Sequence, residues 1–174
     1  MFPVLETERL SLREIKAGDA AELFACFSNR EVMRYYGQEP LSTLEEVSGF
    51  VDFFAESYRD RRGIRWGIEL KGMNGIIGTI GFNSWSAKHK RAEIGYELNS
   101  RYWRKGYAAE AAASAIAYGF GAMELARIGA VVFTGNDASS ALLARLGFEH
   151  EGLLRKYMVQ GGIAYDTNVY SIVK

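Results

Sequence analysis

The feature that most constrains this chain is a predicted strand that leads through a short basic loop into an alanine-rich helix. The strand is predicted over residues 92–98 and the helix from Gly106 to about Met123, where the density of alanine favours a helix. At such a junction the first backbone N–H groups of the helix have no partner within the helix, and the helix dipole adds partial positive charge. The junction is therefore a candidate site for a pyrophosphate.

Three properties of the turn 103–108 favour an anionic ligand. Gly106 removes the side chain where a backbone would have to approach phosphate oxygens, Ala108 keeps the next contact small, and Arg104 and Lys105 add positive charge. The spacing matches neither the Gly-Lys-Ser/Thr of a Walker loop nor the Gly-x-Gly-x-x-Gly of a dinucleotide fold. On its own, the turn is a candidate phosphate site, with an ordinary helix start as the alternative.

Turn residues and the spacing of apolar positions predict one domain over residues 1–174, without internal repeats or linkers. The predicted strands are 9–13, 66–70, 75–82, 92–98, 128–133, 152–159 and 164–173. The predicted helices are 20–27, 42–58, 106–123 and 138–146. A capping box of Ser42 and Glu45 would open the second helix, and Gly147 would end the last one. The order β-αα-βββ-α-β-α-ββ describes an α/β fold, a mixed sheet with helices on its faces.

The charge balance and the rare residues narrow the classes of ligand. Lysine plus arginine number 21, as do aspartate plus glutamate, whereas nucleic-acid binding usually requires a basic excess. Cys26 is the single cysteine, and His89 and His150 have no partners at metal-ligand spacing, so neither a disulfide nor a metal site is expected. No apolar run approaches the roughly 18 residues that cross a bilayer, and the N-terminus lacks the pattern of a secretory signal. We expect a protein of the reducing cytoplasm that has neither nucleic acid nor membrane as a partner.

The turn resembles the acetyl-CoA motif of the GNAT acetyltransferases, Gln/Arg-x-x-Gly-x-Gly/Ala. Gly106 and Ala108 match it, and Trp103 stands at the Gln/Arg position. The tryptophan departs from the superfamily pattern but is similar to the RimJ/RimL branch, the ribosomal-protein N-terminal acetyltransferases. The chain resembles that branch in four further segments, in the same order: Leu5–Arg13, Ala92–Tyr96, Asn136–Ser139 and Leu146–Gly152.

The resemblance implies the GNAT fold, in which a central mixed sheet is splayed, and acetyl-CoA as the co-substrate. The strand ending at Leu98 would diverge from its neighbour, and its free backbone groups would pair with the pantetheine arm. An N–H near Glu97 would stabilise the developing oxyanion. The coenzyme-binding residues implied are Tyr96, Glu97, Leu98, Trp103, Arg104, Lys105, Gly106, Tyr107, Ala108, Asn136, Ser139, Leu142 and Arg145.

The resemblance also indicates residues for proton transfer. Glu93 matches a general-base glutamate of some GNAT branches, with pairing to a base such as Arg91 as the structural alternative. Glu97 would point to the same sheet face and is the alternative base. The tyrosine that serves many members as the acid is replaced here by Leu143. The RimL-like branch instead indicates Ser139, which could equally be a helix N-cap.

The acceptor amine is expected between the early helices, the loop 33–37 and the late hairpin around 160–162. Candidate aromatic residues of this cleft are Tyr35, Tyr36, Phe82, Trp85 and Tyr157. A protein N-terminal α-amine, with a pKa of about 8 against 10.4 for lysine, needs the least help to react. A polyamine or antibiotic acceptor and a non-catalytic acyl-CoA-binding module are the alternatives. The sequence also leaves a homodimer open, through Phe120, Met123 or the last strand.

Overall fold

The sheet has eight strands in the spatial order β1-β2-β3-β4-β5-β6-β8-β7, in a computed structural model that describes all residues 1–174. The strands are β1 Leu5–Glu6, β2 Leu10–Glu14, β3 Ile64–Leu70, β4 Ile76–Ser86, β5 Arg91–Leu98, β6 Arg127–Phe133, β7 Glu149–Gln160 and β8 Ile163–Val173. The helices are α1 Ala20–Phe27, α2 Glu45–Arg59, α3 Tyr107–Gly121 and α4 Asp137–Arg145. None of them is long and apolar enough to cross a membrane.

The sheet is mixed and splayed at its centre, which confirms the expected fold class. All neighbouring strands are antiparallel except β5 and β6, which are parallel. Their pairing covers only three residues of β5, Arg91 to Glu93, although β5 continues to Leu98. Beyond Glu93 the two strands therefore diverge, and a gap opens between their carboxyl ends.

The two faces of the sheet carry separate cores. A cluster of 21 buried residues includes Trp66, Ile80 and Phe82 from the strands and three alanines of α3. The small side chains let α3 lie close to the sheet: a Cβ at Gly119 would approach Phe82 Cζ to 3.0 Å. A second cluster of seven buried residues, among them Phe27, lies with α1 and α2. Helix α3, which follows β5, therefore packs on one face of the sheet, and α1 and α2 pack on the other.

The ends of the helices confirm one sequence expectation and correct another. Gly147 has φ +92 and follows α4, and its N–H donates to Ala144 O at 3.1 Å, as expected of a glycine after a helix. The capping box predicted for Ser42 and Glu45 is wrong. Instead, the carboxylate of Glu46 accepts the Ser42 backbone N–H at 2.8 Å, because a glutamate in the first turn can itself reach back to the free N–H groups before the helix.

Candidate functional site

The candidate site is the gap between β5 and β6. From Ile94 to Leu98, β5 pairs with β4 but not with β6. Its other edge therefore pairs with no strand, and an extended ligand can add there as a strand would. Helices α3 and α4 follow β5 and β6, so both helices begin at the end where the gap opens. In open α/β sheets ligands bind at such carboxyl edges.

The turn 103–108 presents consecutive backbone N–H groups at the start of α3. Arg104 has φ +61 and Gly106 has φ +82, and no hydrogen bond uses the N–H groups of residues 104–106. The first bond at the helix start runs from Glu110 N to Gly106 O at 3.1 Å. Free N–H groups in such a concave turn, together with the helix dipole, form an anion site. The turn is thus a candidate anion site.

Gly106 has a second reason to lack a side chain, which the sequence did not reveal. A Cβ there would lie 3.2 Å from Arg9 Nη2. Arg9 donates to Lys105 O at 2.9 Å, and its guanidinium pairs with Glu110 at 2.7 Å. Thr7 also donates to Glu110, at 2.6 Å. The segment between β1 and β2 therefore holds the turn in place across about a hundred residues of sequence.

The Glu110 carboxylate is stabilised in its charged form. Burial raises its pKa, but the hydrogen bonds from Thr7 and Arg9 lower it by more, so the pKa lies below its ordinary value. Arg9 also lies over the ring of Tyr107, 4.5 Å from the centroid. Thr7, Arg9 and Glu110 are site residues that the sequence reasoning missed. The only signal for Thr7 and Arg9 was the resemblance of the opening segment, Leu5–Arg13, to the RimJ/RimL branch.

Trp103 connects the turn to the end of β5. Its indole Nε1 donates to Leu98 O at 2.8 Å, while the side chain stays 36% exposed. Lys105 Nζ lies 5.5 Å from the centroid of the Tyr102 ring. The tryptophan therefore fixes the last carbonyl of the strand relative to the turn, which is a structural use for the residue at the Gln/Arg position of the motif.

Two hydroxyl groups meet across the gap. Tyr96 on β5 and Ser139 on α4 are joined by a hydrogen bond of 2.8 Å between Oη and Oγ. The N-cap of α4 is Asn136, whose side chain accepts the Ser139 N–H at 3.3 Å. The alternative of Ser139 as the cap is therefore wrong, since a residue in the third helical position faces inward here. Burial raises the pKa of Tyr96 more than the Ser139 hydrogen bond lowers it, so the phenol is neutral.

The remaining α4 residues lie on different surfaces. Leu142 is buried, with 7% exposure, whereas Arg145 is exposed. Leu143, which stands at the position of the missing tyrosine, belongs to the large core cluster. Helix α4 thus carries a hydroxyl that meets Tyr96 across the gap, at Ser139, and an exposed charge at Arg145.

Glu97 is committed to a buried ion pair. Arg65 Nη2 lies 2.5 Å from its carboxylate, and the two side chains are 5% and 4% exposed. Thr79 donates to the same carboxylate. Arg65 further donates to Thr79 Oγ1 at 2.8 Å and to Gly95 O at 3.0 Å. Because these contacts occupy the carboxylate oxygens, Glu97 is poorly placed to accept a proton as a base. They also link the diverging part of β5 to β3.

Glu93 is the half-buried carboxylate on the same face that has no ion pair. The expected alternative, a pair with Arg91, does not form. Arg127 lies close enough to Glu93 for the two charges to interact, but it forms its ion pair with Glu151. On β6, Gly129 stands opposite and leaves the space beside Glu93 open, since a Cβ there would lie 3.6 Å from Glu93 Cγ.

The loop 33–37 and the late hairpin meet, as expected for the acceptor side. The amide of Gln160 donates to Met33 O at 2.9 Å and accepts the Gly37 N–H at 2.8 Å. Tyr35 packs edge-on against Phe133, with 6.3 Å between the ring centroids. A single side chain thus holds the loop against the hairpin.

Two of the five expected aromatic residues do not present their rings as an open cleft would require. The side chain of Phe82 is fully buried in the core under α3, because its strand parity turns it to that face, and Tyr157 is 55% exposed on the edge strand β7. Tyr35 and Tyr36 remain next to the gap. Burial raises the pKa of Tyr36, and the nearby Glu97 carboxylate raises it further.

Comparisons with known proteins agree with this geometry. Residues 9–149 match the family model described as "Acetyltransferase (GNAT) domain". The chain is 55% identical to the N-acetyltransferase YoaA of Bacillus subtilis, over all of this chain and 98% of YoaA. It is 28% identical to the spermidine N(1)-acetyltransferase of Escherichia coli K12, over 87% of this chain and 80% of that one. A crystal structure of a GNAT-family acetyltransferase from Bacillus anthracis superposes with a TM-score of 0.86 at 31% identity, covering 99% of this chain and 98% of the other. The chain belongs to the GNAT family of N-acetyltransferases.

Proposed function

We propose that this single domain, residues 1–174, transfers an acetyl group from acetyl-CoA to an amine by direct attack in a ternary complex. The observation that carries the proposal is the free edge of β5, which ends at a turn with unpaired N–H groups. A free strand edge suits an extended pantetheine arm, and unpaired N–H groups at a helix start suit a diphosphate. The cytoplasm is the location that the lone buried Cys26 favours.

The coenzyme contacts follow from this geometry. The backbone of residues 104–108 would bind the diphosphate, and the edge at Tyr96, Glu97 and Leu98 would pair with the pantetheine. A free N–H of that edge would stabilise the developing oxyanion. Trp103, Asn136, Ser139, Leu142 and Arg145 would line the remainder of the site.

Glu93 is the proposed base. An amine must lose a proton to attack the thioester, and a carboxylate without an ion pair can accept that proton, directly or through water. Glu97 is the weaker candidate because Arg65 and Thr79 occupy its oxygens.

The paired hydroxyls are the proposed proton donor to the departing thiolate. Ser139 alone is a poor acid, but its hydroxyl is joined to the neutral phenol of Tyr96. Proton loss from a tyrosine, with an ordinary pKa of about 10, is far easier than from a serine. Either hydroxyl can then donate while the other stabilises the resulting charge.

The proposed acceptor is a protein N-terminal α-amine, as in the RimJ/RimL branch that the sequence resembles. The α-amine supplies a neutral nucleophile near pH 7 with one carboxylate as base. The fold alone does not select the acceptor, because sites on one fold host many substrates. An amine panel therefore has to be part of the test.

The test is release of free thiol from acetyl-CoA with N-terminal peptides, polyamines and amino-sugar antibiotics as acceptors. Gly106→Glu should abolish coenzyme binding in calorimetry, because the carboxylate repels the diphosphate and obstructs its approach. Gly72→Glu is the matched control, because Gly72 has nearly the same φ, +83, and a Cβ there meets nothing within 4 Å. Wild-type affinity in a folded Gly106→Glu variant would exclude the turn from the site.

A further inference from the structure

A cavity of about 520 Å³ lies beside the candidate site, between α2 and the adjoining ends of β3 and β4. Its aromatic walls are Phe53, Phe54 and Trp85, and its polar lining includes Arg62 and Arg65. No aspartate or glutamate lines it. The other polar lining residues are Ser57, Asn83 and Ser84. A volume of this size holds a small organic group, and aromatic walls with polar groups placed among them are typical of ligand pockets.

The cavity adjoins the proposed base. Asn83, which lines the cavity, is the cross-strand partner of Glu93 in the β4–β5 register, and directly opposed residues on one sheet face are in contact range. Gly95, the next residue on the same face of β5, is bordered by two residues of the cavity lining: a Cβ there would lie 3.3 Å from Arg65 Nη1 and 3.5 Å from Asn83 Nδ2. An amine at Glu93 would therefore lie next to the cavity lining.

The charges of the lining decide which group fits. Arg65 is already neutralised by Glu97. Arg62, which is 56% exposed, shares the carboxylate of Asp60 with Arg59, at 3.2 and 3.5 Å, so the two arginines leave net positive charge at the rim. A second ammonium group in the cavity would lose its water, find no carboxylate and face this arginine. A bulky uncharged group would instead bury apolar area against Phe53 and Trp85.

We propose that this cavity is the specificity pocket for the acceptor, and that it takes an uncharged aromatic or large apolar group carried next to the reacting amine. The inference rests on the proposed acetyl transfer and extends it, because it excludes polyamines as preferred acceptors. For a peptide acceptor, the group corresponds to an apolar side chain at the N-terminus.

The experiment compares 2-phenylethylamine, propylamine and spermidine in the thiol-release assay. We expect kcat/KM for 2-phenylethylamine to exceed that for propylamine by roughly tenfold or more, since one methylene in an apolar pocket already separates substrates by about 10- to 200-fold. Spermidine should be the poorest of the three. A preference for spermidine, or equal use of all three amines, would overturn the proposal.

Phe53→Ala tests the pocket itself. Because the Phe53 side chain is half exposed, its removal should leave the protein folded. Phe53 is 52% exposed, so its removal should cost about half of the free energy that full burial of a phenylalanine contributes. The KM for 2-phenylethylamine should therefore rise roughly three- to twelvefold. The KM values for acetyl-CoA and propylamine should not change. Leu44→Ala is the matched control, with the same exposure but outside the cavity.

The failures are distinguishable. Equal losses with all amines in Phe53→Ala would assign the residue a structural role and reject the pocket alone. Absence of thiol release with every amine, while calorimetry still detects acetyl-CoA binding, would reject the acetyl transfer and the pocket together.

Discussion

The buried pair of Arg65 and Glu97 permits the sharpest prediction about stability. Both side chains are at least 95% buried, and Arg65 distributes its donors over Glu97, Thr79 and Gly95. Burial lowers the pKa of Arg65, but the Glu97 carboxylate and nearby groups raise it above its ordinary value. Glu97→Gln would leave the guanidinium buried and charged without its counter-ion.

The magnitude follows from this burial. Removing one partner of a buried ion pair costs about 3 to 5 kcal/mol. For a domain of this size about 2 to 4 °C of melting temperature corresponds to 1 kcal/mol, so Glu97→Gln should melt roughly 6 to 20 °C lower than the wild type. In the double variant Arg65→Met/Glu97→Leu, no charge is left unpaired, and most of the loss should be recovered.

Thermal unfolding followed by circular dichroism measures these shifts. Asp60→Asn is the control, because Asp60 pairs with Arg59 and Arg62 in exposed contacts whose loss should leave the melting temperature nearly unchanged. A wild-type melting temperature for Glu97→Gln, or a double variant no more stable than the single one, would refute the reasoning. If Glu97 only positions β5, the folded variant should keep the wild-type pH–rate profile.

Three further predictions concern the base, the acceptor loop and the turn. Glu93→Gln should lower kcat more than it raises the KM for acetyl-CoA. The loss in kcat should shrink at high pH, where the amine is neutral without a base. An unchanged pH–rate profile would exclude Glu93 as the base. Gln160→Ala should raise the KM for the acceptor but not for acetyl-CoA in steady-state assays, because it frees the loop at Met33 and Gly37. Glu110→Gln should be destabilised at pH 7 in urea unfolding. Since the pKa of Glu110 is lowered in the folded state, its contribution is present above the unfolded pKa and lost as the pH falls through the folded one, so the two proteins should converge in acid.

The sequence was sufficient for the features that depend on short-range chemistry. The strand β5, the turn at Gly106 and the helix α3 follow from apolar spacing, alanine density and the unpaired N–H groups of a helix start, all of which act within a few residues. The splayed sheet was predicted by resemblance to a family, not by periodicity. Strand parity also indicated that Glu93 and Glu97 share one face.

Only the tertiary structure distinguished residues that look alike in the sequence. Parity assigns a face but not a partner, so it could not show that Arg65 neutralises Glu97 and leaves Glu93 unpaired. It also could not show that Ser139 meets Tyr96. Such partners are separated by 32 and 43 residues, and their contacts depend on how strands and helices are juxtaposed across the sheet. Local sequence therefore determined where the turn and the strand form, while packing between distant elements decided where the strand edge is free and which carboxylate and which hydroxyls remain available at the gap.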